Sequence, residues 1–410
     1  MEINLIRLRT CMAGNEKDVI LEGNSFINNI NLDIADHYDY FLKEDVKNSP
    51  VNFIFVETGG TEEKFLDQVF DKIPSPYYLI SNGRNNSLPA SLEIKTFCDE
   101  RNVPCMLLTG NESRMAEIIE KIIQSAVTYD KLKNNNLGVI GKPSNWLIAS
   151  KVDYNDIKER FGFNLIDISV EEFFLEIDKK TYNDFPRLEE LKEKWKNKEV
   201  LEEALNIYGA LKRLVNKYHL NGLTVRCFDL IDRYKNTSCL ALSILNDEGI
   251  TAGCEGDVPS LITMHIVSHL TSMPCFMANP STIEFETDSI ILSHCTIPLK
   301  LSRDYCLDTH FESGLGIGIR GKMKSGEISI VKICPDLSNV LDLVGEIKEN
   351  LSMPNYCRTQ IRVQINDGLK DFLTIPFGNH VIVSYGDILF EFMTYMEISS
   401  RKFEEYLNKK

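Results

Sequence analysis

The sequence predicts an α/β protein: two Rossmann-like domains, each with a parallel sheet flanked by helices, followed by a domain of antiparallel strands. Three observations carry this prediction. Short apolar runs alternate with helical patterns from the N-terminus to about residue 281, and such alternation implies parallel strands joined by crossover helices. A polar, turn-rich segment, Lys131 to Asn136, divides that stretch in two. After about residue 282 the pattern changes to successive β-like runs, as in a barrel or sandwich, and helical patterning returns only at the end. The expected boundaries are 1–133, 137–281 and 282–410.

In the first domain Met1 to Leu8 alternates like a strand, and Val51–Val56, Tyr77–Ile80 and Pro104–Leu108 are short apolar runs of strand length. Glu62–Phe70 and Glu112–Thr128 carry helical spacing. The second domain opens with the strand Leu137–Gly141 and a turn rich in Gly, Pro, Ser and Asn. A helix near 153–161, a strand at Asn164–Ile168 and a long charged helix over roughly 187–219 follow. Leu223–Phe228 and Cys239–Ile244 read as strands, the latter closed by a turn at Asn246–Gly249. Pro259 suits the first turn of a helix running through Leu261, Ile262, Ile266, Val267 and Leu270. In the last domain Ser289–Ser293, Leu315–Ile319, Ile328–Ile333, Thr359–Ile365 and Val381–Ser384 are the strand candidates, and a helix runs from Ile388 to about Leu407.

A length of 410 residues suits two or three domains, and an apolar share of 43% is enough to build their cores. A net charge of -15 argues against nucleic acid as a main partner, because phosphate binding needs a basic surface. The eleven cysteines are odd in number and form no CxxC pair. Cys105, Cys227, Cys239, Cys275 and Cys334 sit in apolar runs, where a reduced cysteine acts as a small hydrophobe. A reducing cytoplasm is therefore expected rather than a disulfide framework. The N-terminus lacks the continuous apolar core of a signal peptide, and no stretch approaches the roughly 20 apolar residues of a membrane span. A soluble, cytoplasmic protein with no membrane partner is expected.

The segment Ala252-Gly253-Cys254-Glu255-Gly256-Asp257-Val258 places two carboxylates two residues apart, bracketed by glycines, where a strand hands over to a helix. Sheets of this class concentrate chemistry at such turns, although acids at a helix start also serve as simple macrodipole partners. Gly59-Gly60 fits a phosphate-binding turn or a tight strand–helix turn, and it lacks both the GxGxxG and GxxxxGK[ST] fingerprints. Within Gly141–Trp146, Lys142, Ser144 and Trp146 could contact a polyol, the indole stacking on a sugar face, or Trp146 could plug a gap between domains. His265 and His269 share a helix face, a recurring metal geometry, but no glutamate follows His265 as a metalloprotease motif requires. His294, His310 and His380 each stand at a strand end or turn. With Glu255 they supply a carboxylate–imidazole set suited to Mn²⁺ or another first-row divalent ion. No GxSxG motif supports serine hydrolase chemistry.

Three motifs, Gly253-Cys254-Glu255-Gly256-Asp257, Ser293-His294-Cys295-Thr296 and Asn379-His380-Val381, resemble in this order those of the L-fucose isomerase and L-arabinose isomerase superfamily. Val56 to Glu62 is similar to that superfamily's N-terminal domain, so the resemblance spans nearly the whole chain. It is closer to the shorter, divergent fucose-isomerase-like proteins than to either named enzyme. The resemblance implies two α/β domains followed by a β-barrel. It also implies aldose–ketose isomerisation with a divalent metal, usually Mn²⁺, through a cis-enediol. Carried over by motif, Glu255 ligates metal and transfers a proton, His380 is the ligand from the barrel, and His294 resembles the additional histidine ligand of the arabinose branch. Asp257 would support the site by hydrogen bonding, and a homo-oligomer, trimer or hexamer, is implied. Trp146, His310, Glu312 and Asn379 are the candidate contacts to a small-molecule sugar, a pentose or 6-deoxyhexose.

The chemistry agrees with these residue types. Moving a proton between C1 and C2 needs a base at the enediol plane and an acid that relays the hydroxyl proton, while a metal polarises the carbonyl. The chain departs from the family pattern at one place. A second acid is expected about two dozen positions after the first, but the matching stretch, Pro274 to Pro280, holds Asn279 and no carboxylate. Asn279 offers an amide oxygen to a metal and cannot act as a base. Asp257 and Glu312 are the nearest substitutes by motif. A non-catalytic carbohydrate-binding or regulatory protein on the same scaffold, and a sugar lyase using the same enediolate, stay open.

Overall fold

The computed structural model describes residues 3–10, 16–33, 35–38, 46 and 49–407, so Met1 and Glu2 of the expected first strand lie outside the described residues. The chain forms two compact units, residues 1–131 with 390–410, and residues 132–389.

The first unit carries a five-stranded parallel sheet of β1 (Asn4–Leu8), β2 (Asp36–Tyr38), β3 (Asn52–Val56), β4 (Tyr77–Ser81) and β5 (Cys105–Leu108), in the order β2-β1-β3-β4-β5. Every residue of β1, β3 and β4 is buried. Burial on both faces is why these strands read as continuous apolar runs rather than alternating ones. On one face Ile6, Leu8, Ile54, Val56 and Leu79 pack with Phe65 and Ile94 from the crossover helices. The closing helix, Leu389–Leu407, also packs in this unit: Tyr395 sets its ring edge-on to Tyr129 at 5.6 Å, and Glu391 pairs with Lys121 at 2.9 Å. The Gly59-Gly60 turn joins β3 to the helix Glu62–Gln68, with Gly60 at φ +71°.

The second unit begins with a four-stranded parallel sheet: β6 (Asn136–Ile140), β7 (Asn164–Ile168), β8 (Gly222–Val225) and β9 (Thr251–Cys254), in the order β7-β6-β8-β9. The chain adds β7 on one side of β6 and β8 on the other. That reversal opens a crevice outside the carboxyl ends of β6 and β8, the usual ligand position in open sheets of this kind. Two expectations fail here. Cys239–Ile244 is not a strand but the start of the helix Cys239–Asp247, whose residues 239–246 are all buried. A helix buried all round shows no periodicity that separates it from a buried strand. The long helix near 187–219 is two, Leu188–Lys194 and Lys198–Tyr218, because Asn197 turns out of the helix and its side chain accepts the Val200 N–H.

In the same unit β10 (Phe276–Glu284), β11 (Ser289–His294), β14 (Gly326–Ile333), β15 (Val340–Asn350), β16 (Thr359–Ile365) and β17 (Val381–Tyr385) close an antiparallel barrel in the order β10-β11-β16-β15-β14-β17. A two-stranded ribbon, β12 (Ser302–Asp308) and β13 (Gly318–Met323), leaves it. β13 starts later than Leu315 because Gly314 and Gly316 adopt positive φ and make a turn first. The sequence pattern missed β10 and β15. β10 carries Pro280 at a bulge, and β15 alternates apolar residues with Asp, Glu and Lys. Among the described residues no helix is long and apolar enough to cross a membrane.

The start of β9 is held by one side chain. Buried Asn246 donates to the carbonyls of Leu242 and Ala252 at 2.9 and 2.8 Å and accepts the Ala252 N–H at 3.0 Å. Replacing Asn246 with Ala leaves both backbone groups of Ala252 without partners. Urea denaturation should show a loss of about 2–3 kcal/mol, at about 1 kcal/mol per bond.

Candidate functional site

The two carboxylates that follow β9 are built differently. Glu255 and Gly256 take φ of +62° and +72°, so the chain turns through two left-handed residues. A Cβ on Gly256 would lie 2.6 Å from the Lys142 carbonyl oxygen, so both conformation and space require glycine. Glu255 pays a strain of order 1–2 kcal/mol for that backbone. Its carbonyl accepts the Ser144 N–H at 2.9 Å, and Gly256 N–H donates to Val225 at 3.1 Å, which pins the turn to the loops after β6 and β8. Asp257 caps the helix Val258–Thr271: its Oδ1 accepts the Ser260 N–H at 3.0 Å and its Oδ2 the Ser260 hydroxyl at 2.8 Å. The plain helix-start role thus applies to Asp257.

Asp257 does more than cap. It is fully buried, and its Oδ2 accepts the Nδ1–H of His380 at 2.8 Å, while Lys332 Nζ lies 3.3 Å from the same oxygen. Lys332 also bonds Ser260 Oγ. With Nδ1 committed to a carboxylate, His380 turns Nε2 the other way, buried and without a hydrogen-bond partner. That atom faces Glu255 Oε1 at 3.6 Å. His294, at the end of β11, sets its ring 5.5 Å from that of His380, with its own Nδ1 bonded to Thr296 Oγ1 at 2.9 Å. Ligand atoms of Glu255, His294 and His380 all lie within 4.8 Å of one another. Of the four residues named as ligands from the sequence, Glu255, His294 and His380 therefore lie together, one from the parallel sheet and two from the barrel.

The charges are arranged for this. Burial pushes the Glu255 carboxyl up, but the neighbouring His380, the charge of His294 and the Trp146 indole N–H outweigh it and hold it below the ordinary glutamate value. Burial likewise opposes ionisation of Asp257, and the Lys332 charge and the His380 bond overcome it. Burial and the neighbouring His380 push His294 down to about 3, so its imidazole is neutral, the form that binds metals. Burial lowers His380, yet its bond to Asp257 and the nearby carboxylates of Glu255 and Asp257 leave it raised.

Around the triad, Trp146 is 50% exposed and donates its Nε1–H to Glu255 Oε2 at 2.6 Å. Its ring meets Phe228 edge-on at 4.7 Å, and Phe228 meets His310 at 5.5 Å, making an aromatic wall beside the carboxylate. His310 is buried, with Nδ1 on Ser313 Oγ at 3.1 Å. Glu312 is exposed, and burial of its carboxyl together with the charge of Glu255 raises its pKa. Asn279 lies opposite Ser293 on β11, and its neighbour Ala278 lies opposite Val381 on β17, so it is one step from both histidines. Its Oδ1 is buried and without a hydrogen-bond partner. Asn379 is exposed. His265 and His269 stand apart as structural groups: His265 bridges Thr251 and Asn135, and His269 Nδ1 bonds the His265 carbonyl. Lys332 and Phe228 went unnoticed in the sequence. The only local signal was one lysine inside the apolar strand Ser329–Ile333.

Two outcomes are expected. Lys332→Met strips the partner from a buried carboxylate and should cost about 3–5 kcal/mol in denaturant unfolding, with the added Asp257→Asn recovering part of the loss. In metal-free protein His294 must take up a proton when the chain unfolds in acid, because its folded pKa lies below its unfolded one. Stability should therefore fall as pH drops from about 6 to about 4, with a slope of about 1.4 kcal/mol per pH unit from this group. His294→Gln should remove that slope.

No protein-family model matches the chain. It is 20% identical to a sulfoquinovose isomerase of Alkalicoccus urumqiensis over 389 residues, covering 86% of this chain and 85% of the relative. It is 24% identical to a sulfoquinovose isomerase of Clostridium sp. (strain MSTE9) over 220 residues, 49% of this chain and 48% of the relative. The chain is thus similar, over most of its length, to an aldose–ketose isomerase, and this supports a sugar isomerase function.

Proposed function

We propose that this protein is a metal-dependent aldose–ketose isomerase acting on an anionic 6-deoxyhexose, by proton transfer through a cis-enediol. The convergence of Glu255, His294 and His380, with His380 Nε2 buried and unpartnered, carries the proposal. The sugar named in both relatives is a sulfonated 6-deoxyhexose, which favours that substrate class over a pentose.

One carboxylate and two imidazoles fit a first-row divalent ion such as Mn²⁺. When bound, the ion supplies Lewis-acid polarisation of the carbonyl and offsets the charge of the enediolate. Glu255, ionised and aimed by Trp146, takes the proton from one carbon and returns it to the other. Glu312 takes the place of the missing second acid and relays the hydroxyl proton, its raised carboxyl being closer to neutral pH than an ordinary glutamate. Trp146, Phe228 and His310 offer an aromatic wall to the apolar face of the sugar. Asp257 touches no substrate in this scheme. It fixes the tautomer and orientation of His380, as the partners of metal-bound histidines do.

Proton exchange tests the proposal. The protein is incubated in D₂O with Mn²⁺ and a panel of pentoses, 6-deoxyhexoses and sulfoquinovose, and deuterium at the exchangeable carbon is followed by NMR. Exchange and isomer formation are expected with sulfoquinovose, and Glu255→Gln or Glu312→Gln should each slow the reaction by about 10²–10⁴-fold. A sugar that binds without exchange under any divalent metal would leave a carbohydrate-binding protein instead. Loss of sugar without an isomer would mean a lyase.

A further inference from the structure

The crevice outside the carboxyl ends of β6 and β8 holds a cavity of about 520 Å³, lined among others by Lys142, Ser144, Lys151, Tyr154, Asp167 and Arg226. Its lining is cationic in a chain of net charge -15. Lys142 and Lys151 are exposed and have no ion-pair partner among the described residues. Arg226 is fastened: it donates to the Pro143 carbonyl and the Asn145 side chain, each at 3.2 Å, and pairs with Asp229 at 3.1 Å. The single acid in the lining, Asp167, accepts the Tyr154 hydroxyl at 2.6 Å. Ser144 is 2% exposed, and its buried hydroxyl has no hydrogen-bond partner. A buried donor beside two unpaired ammonium groups and a rigid guanidinium lacks one thing, an acceptor.

We propose that this crevice seats the oxyanion of an anionic ligand, a sulfonate or phosphate, with Lys142 and Lys151 supplying charge, Arg226 a fixed donor and Ser144 a hydrogen bond. The site is joined to the carboxylate turn. Ser144 N–H donates to the Glu255 carbonyl, Trp146 two residues on donates to the Glu255 carboxylate, and Val258 also lines the cavity. Filling it therefore steadies the loop that aims Glu255. The oxyanion has two sources. It is the charged end of the sugar substrate, which rests on the isomerase function proposed above, or it belongs to a separate effector.

Calorimetric titration of the full-length protein at low ionic strength, without added metal, tests the seat with sodium sulfate, sulfoquinovose and quinovose. Sulfate should bind at one site. The pair Lys142→Ala and Lys151→Ala should weaken sulfate by about tenfold or more, the loss of charge-assisted bonds, while thermal unfolding stays unchanged. Lys151→Arg should keep the affinity. Sulfate that competes with sulfoquinovose, with quinovose insensitive to the double alanine variant, assigns the anion to the substrate. Sulfate that binds without competing assigns it to an effector. Equal binding of sulfate and sulfoquinovose by the wild type and the double alanine variant, or no binding by either, overturns the seat. Failure of sugar turnover would strike the isomerase proposal alone and leave the titration intact.

Discussion

The buried linkage of Lys332, Asp257 and His380 is the constraint on which the candidate site depends. A carboxylate with no exposed surface is tolerated only when its oxygens are fully engaged, and Asp257 engages them with a lysine, a serine and a histidine. Those partners come from the helix Val258–Thr271, from β14 and from the residue before β17. One acid therefore ties the carboxyl end of the parallel sheet to the barrel. The cost of burying it also explains why His380 has a defined tautomer. Asp257 claims Nδ1, and Nε2 is left as the atom that faces Glu255.

Against that rigid background the Glu255 turn stores strain. Two successive residues are left-handed, and hydrogen bonds from Ser144 and to Val225 hold them there. The turn thus depends on the loops after β6 and β8, the same loops that form the switch-point crevice. Trp146 joins the two, with its indole N–H on Glu255 and its backbone in the loop that lines the cavity. A few residues thus join the Glu255 turn to the crevice.

Much of this was legible locally. The alternation of strands and helices follows from backbone needs, and β11, β14, β16 and β17 coincide with apolar runs because their residues are largely buried. Glu255-Gly256-Asp257 announced a turn and a cap through residue types that serve those purposes. The misses share a cause. Cys239–Ile244 is buried all round, so its helical period is hidden. Lys332 lies 75 positions from Asp257, and nothing in Ser329–Ile333 states what the lysine pairs with. Phe228 follows β8 and becomes part of a wall only through Trp146 and His310, which arrive from distant loops. Pairings that depend on closure of the barrel are not written in any single window.

The absent second acid bears on charge as well as on proton transfer. In the proposed isomerase a divalent ion held by one carboxylate, Glu255, and by the imidazoles of His294 and His380 would leave a net positive centre, whereas a second carboxylate in place of Asn279 would cancel it. A neutral sugar gains nothing from that excess until the enediolate forms. A sulfonated sugar gains on approach, because a charge of opposite sign acts over several ångströms in a partly enclosed site. The same substitution that removes a base thus lowers the repulsion an anionic substrate would meet. In the proposed scheme Glu312, an exposed residue whose carboxyl is raised by burial and by the charge of Glu255, would supply the proton relay without adding a charge at the metal. In the proposed isomerase, Asn279 in place of a second acid and a cationic crevice beside Glu255 would both suit an anionic sugar.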